Sequence, residues 1–305
     1  RGINSVSAET GPLVVVDGFI GGSLKTLNPS DILSIEILKD ASATAVYGSR
    51  GANGVILVTT RTPDKGSINI SFNGFANVKN VAKYPDTLSP YEYALLANEF
   101  GKEYYGSGDN YYYSAAQLAA FKNGTAGFDY SRAIFRDPAI SQNYEMSVSG
   151  GSSMNTFLAS VRYEKAQGVI QKSDNTQYSW RLKVDAQAKK WLNLGINYYG
   201  SYGYYNNPRI TTYDGLIQQA RYFPPTIEPK DENGNYNNYF IDGTATYNPM
   251  GMIWEANNKY QSLANRLQGY AEFKIIDGLT FRSQLGFSVV FQKVCLRVYN
   301  FNERT

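Results

Sequence analysis

The sequence predicts a mainly β chain: an antiparallel sheet of the transmembrane β-barrel type, preceded by part of a small α+β domain. Three observations carry this. Beyond Pro63-Asp64-Lys65-Gly66 the hydrophobic pattern switches to a period of two and keeps it. Connections between the alternating stretches are very short and very long in turn, the habit of a bacterial outer-membrane barrel. In 305 residues there are 26 Tyr and only 18% charged side chains, which suits strands with one wet face and aromatic edges. The same composition limits the chemistry. There is no His, so Ser-His-Asp triads and His-ligated zinc are excluded. One Cys, Cys295, excludes an internal disulfide framework and a multi-Cys metal site. A net charge of +3 is too slight to argue for nucleic acid.

Before the junction, short apolar runs are punctuated by glycine. Leu13-Val14-Val15-Val16 reads as a buried strand ending in the turn signal Asp17-Gly18. Asn28-Pro29-Ser30-Asp31 opens a turn into a strand over Ile32 to Leu38. Asp40 is placed to cap a short helix over Ala41 to Tyr47, with Gly48 just past its end. Val55-Ile56-Leu57-Val58 is a second buried strand.

After it, Tyr178, Trp180, Leu182, Val184, Ala186 and Ala188 share one strand face, and Arg181, Lys183, Asp185, Gln187 and Lys189 share the other. The same reading holds around 157–164, 192–198, 266–275 and 279–292. With Ile68 to Lys79 and Asn143 to Ser149 it makes about seven strands. Tight turns are expected at 150–153, 189–191 and 276–278, and long connections over 80–142 and 206–261. The long connections carry helix signals of their own: a capping box at Ser89-Pro90-Tyr91-Glu92, a second start at Ser114-Ala115-Ala116-Gln117, and a third helix over Asp214 to Ala220 stopped by Pro224-Pro225.

The apolar faces fit two architectures. In a barrel they meet lipid, with Trp180, Trp191, Tyr198 and Tyr202 as interfacial girdle residues. In a soluble β-sandwich they are simply core. Decorated loops on one side only, and evenly spaced charges on the opposite face, favour the barrel.

The stretch from Ser34 through Lys39-Asp40-Ala41-Ser42-Ala43-Thr44-Ala45-Val46-Tyr47-Gly48-Ser49-Arg50-Gly51-Ala52-Asn53-Gly54 to Thr60, with Pro12 to Gly18 and Leu27 to Ile32 before it, resembles the plug domain of TonB-dependent outer-membrane transporters, and within them the SusC/RagA subgroup. Ser89-Pro90-Tyr91-Glu92-Tyr93 and the Ser147-Val148-Ser149-Gly150-Gly151 turn extend the resemblance more weakly. It implies a barrel of about 22 strands with a plugged lumen. The chain is then expected to be a fragment, with residues 1–66 as the C-terminal part of the plug and 67–305 as the N-terminal part of the barrel. An open barrel edge in lipid would leave backbone groups unpaired. The resemblance also implies a non-enzymatic role without cofactors. It predicts import of a bulky nutrient, oligosaccharide first and oligopeptide second, across the outer membrane. The implied partners are TonB, working through a TonB box outside this chain, and a SusD-like surface lipoprotein acting as a lid. A rival without transport is a soluble β-rich binding module.

Among candidate sites, Tyr47-Gly48-Ser49-Arg50-Gly51-Ala52-Asn53-Gly54 follows a helix and enters a strand, the wrong polarity for a phosphate cradle. Tight turns needing positive φ explain its glycines. Lys39 and Arg50 are candidates to pair with carboxylates of the barrel lumen and hold the plug. Sugar rings stack on aromatic side chains, so Tyr104, Tyr105, Tyr111, Tyr112, Tyr113, Tyr222 and Phe223 are candidate ligand or lid contacts. Glu103, Asp109 and Asp129 lie in no catalytic motif, and solvation is their default.

Overall fold

The computed structural model describes residues 11–20, 24, 27–40, 44–62, 66–105, 112–206, 208, 215–241, 244–254 and 257–297. The first sheet has four strands: β1 (Leu13–Val16), β2 (Phe19–Ile20), β3 (Ile32–Leu38) and β4 (Val55–Thr60). Their order is β2-β1-β4-β3, with β1 and β4 parallel and the other pairs antiparallel. Asp17 and Gly18, at φ +50° and +82°, make the two-residue turn between β1 and β2, where both central residues need positive φ. Of the helix expected over Ala41 to Tyr47, residues 41–43 lie outside the described set. Thr44 is helical, its N–H donating to Asp40 O at 3.0 Å, and the chain goes on in 3₁₀ turns over Ala45–Gly51, with Gly48 inside them at φ +60° rather than beyond their end. Gly54, at φ +94°, then turns the chain into β4.

The second sheet contains all seven expected strands, all but the first longer than the alternation alone suggested. They are β5 (Asn69–Lys79), β6 (Ala139–Gly151), β7 (Asn155–Gln167), β8 (Asp174–Lys189), β9 (Leu192–Asn206), β12 (Asn257–Ile276) and β13 (Leu279–Arg297). They pair in chain order as an antiparallel meander. Their lengths run from 11 to 20 residues, and a tilted strand needs about 9–11 to cross the apolar layer. At one end the strands are joined by the tight turns 152–154, 190–191 and 277–278. At the other end lie 80–138, 168–173 and 207–256. The two long connections are shorter than the expected 80–142 and 206–261 because β6 starts at Ala139 and β12 at Asn257.

Burial runs inside out relative to a soluble sheet. Val161, Leu182, Ile196 and Leu267 on the apolar face are exposed, whereas Ser160, Arg181, Asn197 and Gln268 on the polar face are buried against the plug. A sandwich would bury the apolar face, so the barrel reading stands and the sandwich does not.

The long connections are built, not slack. Between β5 and β6 lie α1 (Pro90–Tyr105), α2 (Ala115–Lys122) and α3 (Tyr130–Ala133). Between β9 and β12 lie α4 (Leu216–Tyr222), the hairpin β10 (Tyr239–Ile241) and β11 (Thr244–Thr246), and α5 (Pro249–Trp254). The capping boxes form as expected: Glu92 N donates to Ser89 Oγ at 3.2 Å while Ser89 N donates to Glu92 Oε2 at 2.8 Å, and Ser114 pairs likewise with Gln117. Tyr130, Ile134, Ile170, Leu216, Phe223, Met252 and Ile253, drawn from three connections, share one hydrophobic core.

Candidate functional site

The functional surface begins with register. Ser71, Ser147, Ser160, Arg181, Tyr199, Arg266 and Ser288 are directly paired from strand to strand, so one row crosses all seven strands on the lumen face. Because facing residues in an antiparallel sheet share a face, this row forms a polar shelf at mid-height of the wall, and the plug rests on it.

Arg181 is the centre of that contact. Its Nη1 lies 3.4 Å from Asp31 Oδ2 and its Nη2 3.7 Å from Asp17 Oδ2, both carboxylates belonging to the plug. Nη2 also donates to Thr60 Oγ1 at 2.6 Å, and Nε donates to Asn197 Oδ1 at 3.3 Å. The guanidinium lies over the Tyr199 ring, 5.0 Å from its centroid. Asp17 is gathered in turn: Thr60 N and Oγ1, Asn197 Nδ2 and Tyr199 OH all donate to it, at 2.9, 2.6, 3.2 and 3.3 Å. Asp31 accepts from Ser160 Oγ at 2.9 Å, and Ser30 donates to Glu145 on β6. A buried charge is tolerable only when paired and hydrogen-bonded; here the two halves of the latch come from segments 115 to 182 residues apart. Val16, Leu27, Val58 and Tyr199 form an apolar cluster beside it. Farther round, the Phe19 ring sits in a notch at Gly286 of β13, where an added Cβ would come within 2.0 Å of it.

The sequence reading expected basic plug residues against acidic wall residues. The main latch has the opposite polarity, with acids on the plug and arginine on the wall. Arg50 is exposed and makes no ion pair among the described residues, and Lys39 is exposed at the end of β3. The other plug-motif residues serve the turn. Gly48 and Gly54 take positive φ, an added Cβ on Gly51 would meet Thr44 O at 2.9 Å, and Tyr47 lines a cavity under the plug. Asp40, exposed, and Asn53, half-buried, flank this turn.

At the long-loop end, Tyr130 OH donates to Ile227 O at 2.9 Å, and its ring meets Phe223 edge-on with centroids 4.7 Å apart. Asn248, fully buried, donates to Pro229 O and Asn237 O and accepts from Met250 N. Arg136 and Asp174 pair at 2.7 Å, tying the first connection to β8. Burial pushes the Tyr93 hydroxyl up to about 12 and raises that of Tyr130 as well. The described parts of these connections therefore pack together as one platform.

On that platform Phe223 is only 2% exposed and is a packing residue, not a free ring. Tyr113 is half-buried, its hydroxyl bonded to Thr226 and its ring edge-on to Phe121. Tyr104 (70% exposed), Tyr112 and Tyr222 present rings to solvent, and Tyr104 stacks on Phe100. Tyr111 and the side chain of Tyr105 lie outside the described residues. Tyr222 rims a cavity of about 560 Å³ between the first turn of α1 and the end of α4. Asp129 caps α3, accepting from Arg132 N at 3.0 Å; Glu103 is exposed and Asp109 lies outside the described residues. No cluster of metal-ligating side chains occurs among the described residues.

On the outer face, Tyr144, Tyr163, Tyr178 and Tyr202 stand in register on four successive strands, their ring centroids 5.2–6.5 Å apart. Of this band the girdle prediction contained only Tyr202. Trp191 lies at the opposite end, stacked on Phe273. Eleven residues separate Trp191 from Tyr202, about 36 Å of strand or roughly 27 Å along the normal at a 40° tilt, close to the apolar band of such barrels. Trp180 and Tyr198 lie within that span: Trp180 is folded flat over Gly200, and Tyr198 OH donates to Asn265 Oδ1 at 2.7 Å.

Comparison with known proteins places this arrangement. Residues 1–55 match the family described as TonB-dependent receptor plug domain. TonB-dependent receptor P3 of Formosa agariphila is 30% identical over 294 residues, covering 94% of this chain and 27% of that protein. TonB-dependent receptor SusC of Bacteroides thetaiotaomicron is 34% identical over 189 residues, covering 59% of this chain and 17% of that protein. Among solved structures, the RagAB peptide importer in its open-open state superposes with a TM-score of 0.73 at 23% identity, over 95% of this chain and 35% of that one. The chain thus spans about a quarter of the length of the curated relatives that it matches along nearly its whole length.

Proposed function

We infer, from a chain with the sequence and fold of a SusC/RagA-type TonB-dependent transporter over its later plug and first barrel strands, that the protein it forms part of imports a bulky polar nutrient across the bacterial outer membrane. The carrying observation is the buried latch: a plug held to a polar barrel wall by Arg181, Asp17 and Asp31 is a closure that must be loosened for anything to pass. TonB, pulling from the tight-turn side, supplies that work. The long-loop end then faces outward, and its packed platform supports a SusD-like lipoprotein lid.

Oligosaccharide is the favoured cargo. Exposed Tyr104, Tyr112 and Tyr222 offer flat apolar rings on that platform, the surface on which sugar C–H faces stack. The test is uptake of labelled oligosaccharides and labelled oligopeptides by cells expressing the full-length protein, with and without a protonophore. Protonophore-sensitive uptake of oligosaccharide is expected. Uptake of peptide alone would reassign the cargo, and uptake of neither would end the transport reading. Co-purification of a surface lipoprotein with the full-length protein tests the lid.

A further inference from the structure

Below the latch lies a cavity of about 710 Å³ between the plug and the wall formed by β8, β9, β12 and β13. Its wall residues, among them Lys183, Asn193, Gln268, Tyr270 and Gln284, all come from the tight-turn half of their strands. Its roof is the latch itself, because Asp17, Thr60 and Asn197 line the cavity and also bind one another or Arg181. We propose that this cavity is the inner half of the permeation path, and that opening of the Arg181 latch joins it to the outer vestibule so that cargo passes along this wall. The proposal rests on the transport reading and adds which side of the plug yields.

Three observations point this way. The lining mixes polar and apolar side chains, and several of its charges are answered in it or beside it: Lys183 faces Asp185 at 3.8 Å, Arg282 faces Glu272 at 3.8 Å, and Tyr270 OH donates to Asp185 at 2.7 Å. Such a wall passes a neutral hydroxyl-rich chain without gripping it by charge. Gln268 borders the cavity, and its Nε2, itself buried, has no hydrogen-bond partner, an unsatisfied donor that opening of the latch would uncover. Glycine makes the room: Tyr270 lies flat over Gly195, where a Cβ would come within 2.1 Å of its ring.

The test uses the full-length protein with Cys295→Ser in planar bilayers bathed in KCl. Wild type should be closed, and Arg181→Leu should conduct. In the Arg181→Leu background, the cationic thiol reagent MTSET should cut conductance at least twofold at Gln268→Cys and leave it unchanged at Val289→Cys on the outer face. If Arg181→Leu does not assemble a heat-modifiable barrel, Asp17→Asn carries the same expectation. A closed latch variant overturns the proposal, as does a conducting variant whose Gln268→Cys is labelled by mass yet unblocked. Energised uptake by wild-type cells separates the two failures: with uptake intact only the path falls, and without it the transport reading falls first.

Discussion

Arg181 on β8 and Asp31 in the plug lie 3.4 Å apart, with their side chains only 2% and 3% exposed, so the two charges are buried by each other's domains. Removing one member of such a pair leaves an unpaired charge and typically costs about 3–5 kcal/mol, whereas removing both costs far less. Arg181→Leu and Asp31→Leu should therefore each raise hydrogen exchange in β1 and β4 strongly, and the double variant should exchange more slowly than either single one. Additive effects would mean that the pair does not couple plug to wall.

The two faces of β8 should respond oppositely to charge. Val184 lies midway between the Tyr202 and Trp191 levels and faces outward, so Val184→Arg should cost about 2–4 kcal/mol, as arginine does at the mid-plane of a barrel. Lys183→Gln on the lumen face loses only a partly exposed contact with Asp185, worth about 1 kcal/mol or less. The folded fraction on an unheated gel reads both, and equal losses would contradict a lipid-facing surface.

Gly286 and Phe19 make a steric test. Gly286→Val must push the Phe19 ring out of its notch, freeing that edge of the plug to proteases. Phe19→Ala added to Gly286→Val should restore protection in part, since it removes the clashing ring. No rescue would place the strain elsewhere.

The faces of the barrel strands were legible because lipid and lumen impose strict alternation on segments such as 178–188. The strand ends were not. Asn258-Lys259-Tyr260-Gln261 carries no alternation because β12 there extends beyond the level of the outer tyrosine band, where both faces accept polar side chains. Arg181 was legible as a lumen residue, but its partners were not: Asp17 and Asp31 meet it only once the plug is docked. The Tyr144–Tyr163–Tyr178–Tyr202 band depends on register between strands, which a single sequence does not display. Phe223 read as a binding ring because loops are usually exposed; here three loops share a core and bury it. Local chemistry, by contrast, was read correctly at Ser89 and Ser114, where the capping boxes need only their own four residues.

The start of α1 gives a pH dependence with a definite sign. Hydrogen bonds from Ser89 N and Oγ to the Glu92 carboxylate hold its pKa below the usual glutamate range. A carboxyl with a lowered folded pKa stabilises the folded form above its unfolded pKa and loses that contribution as pH falls through the folded value. The first turn of α1 should therefore be firm at neutral pH and loosen as pH drops below about 4.5, seen as faster amide exchange at Tyr93, whose N–H bonds to Ser89 O, after correction for the intrinsic rate. Glu92→Gln can still accept from Ser89 but carries no charge to titrate, so its exchange should be flat across the same window. If the wild-type and Glu92→Gln profiles coincide, the carboxylate does not hold this end of the helix, and the order of the rim around Tyr222 rests on the Tyr130–Phe223 core alone.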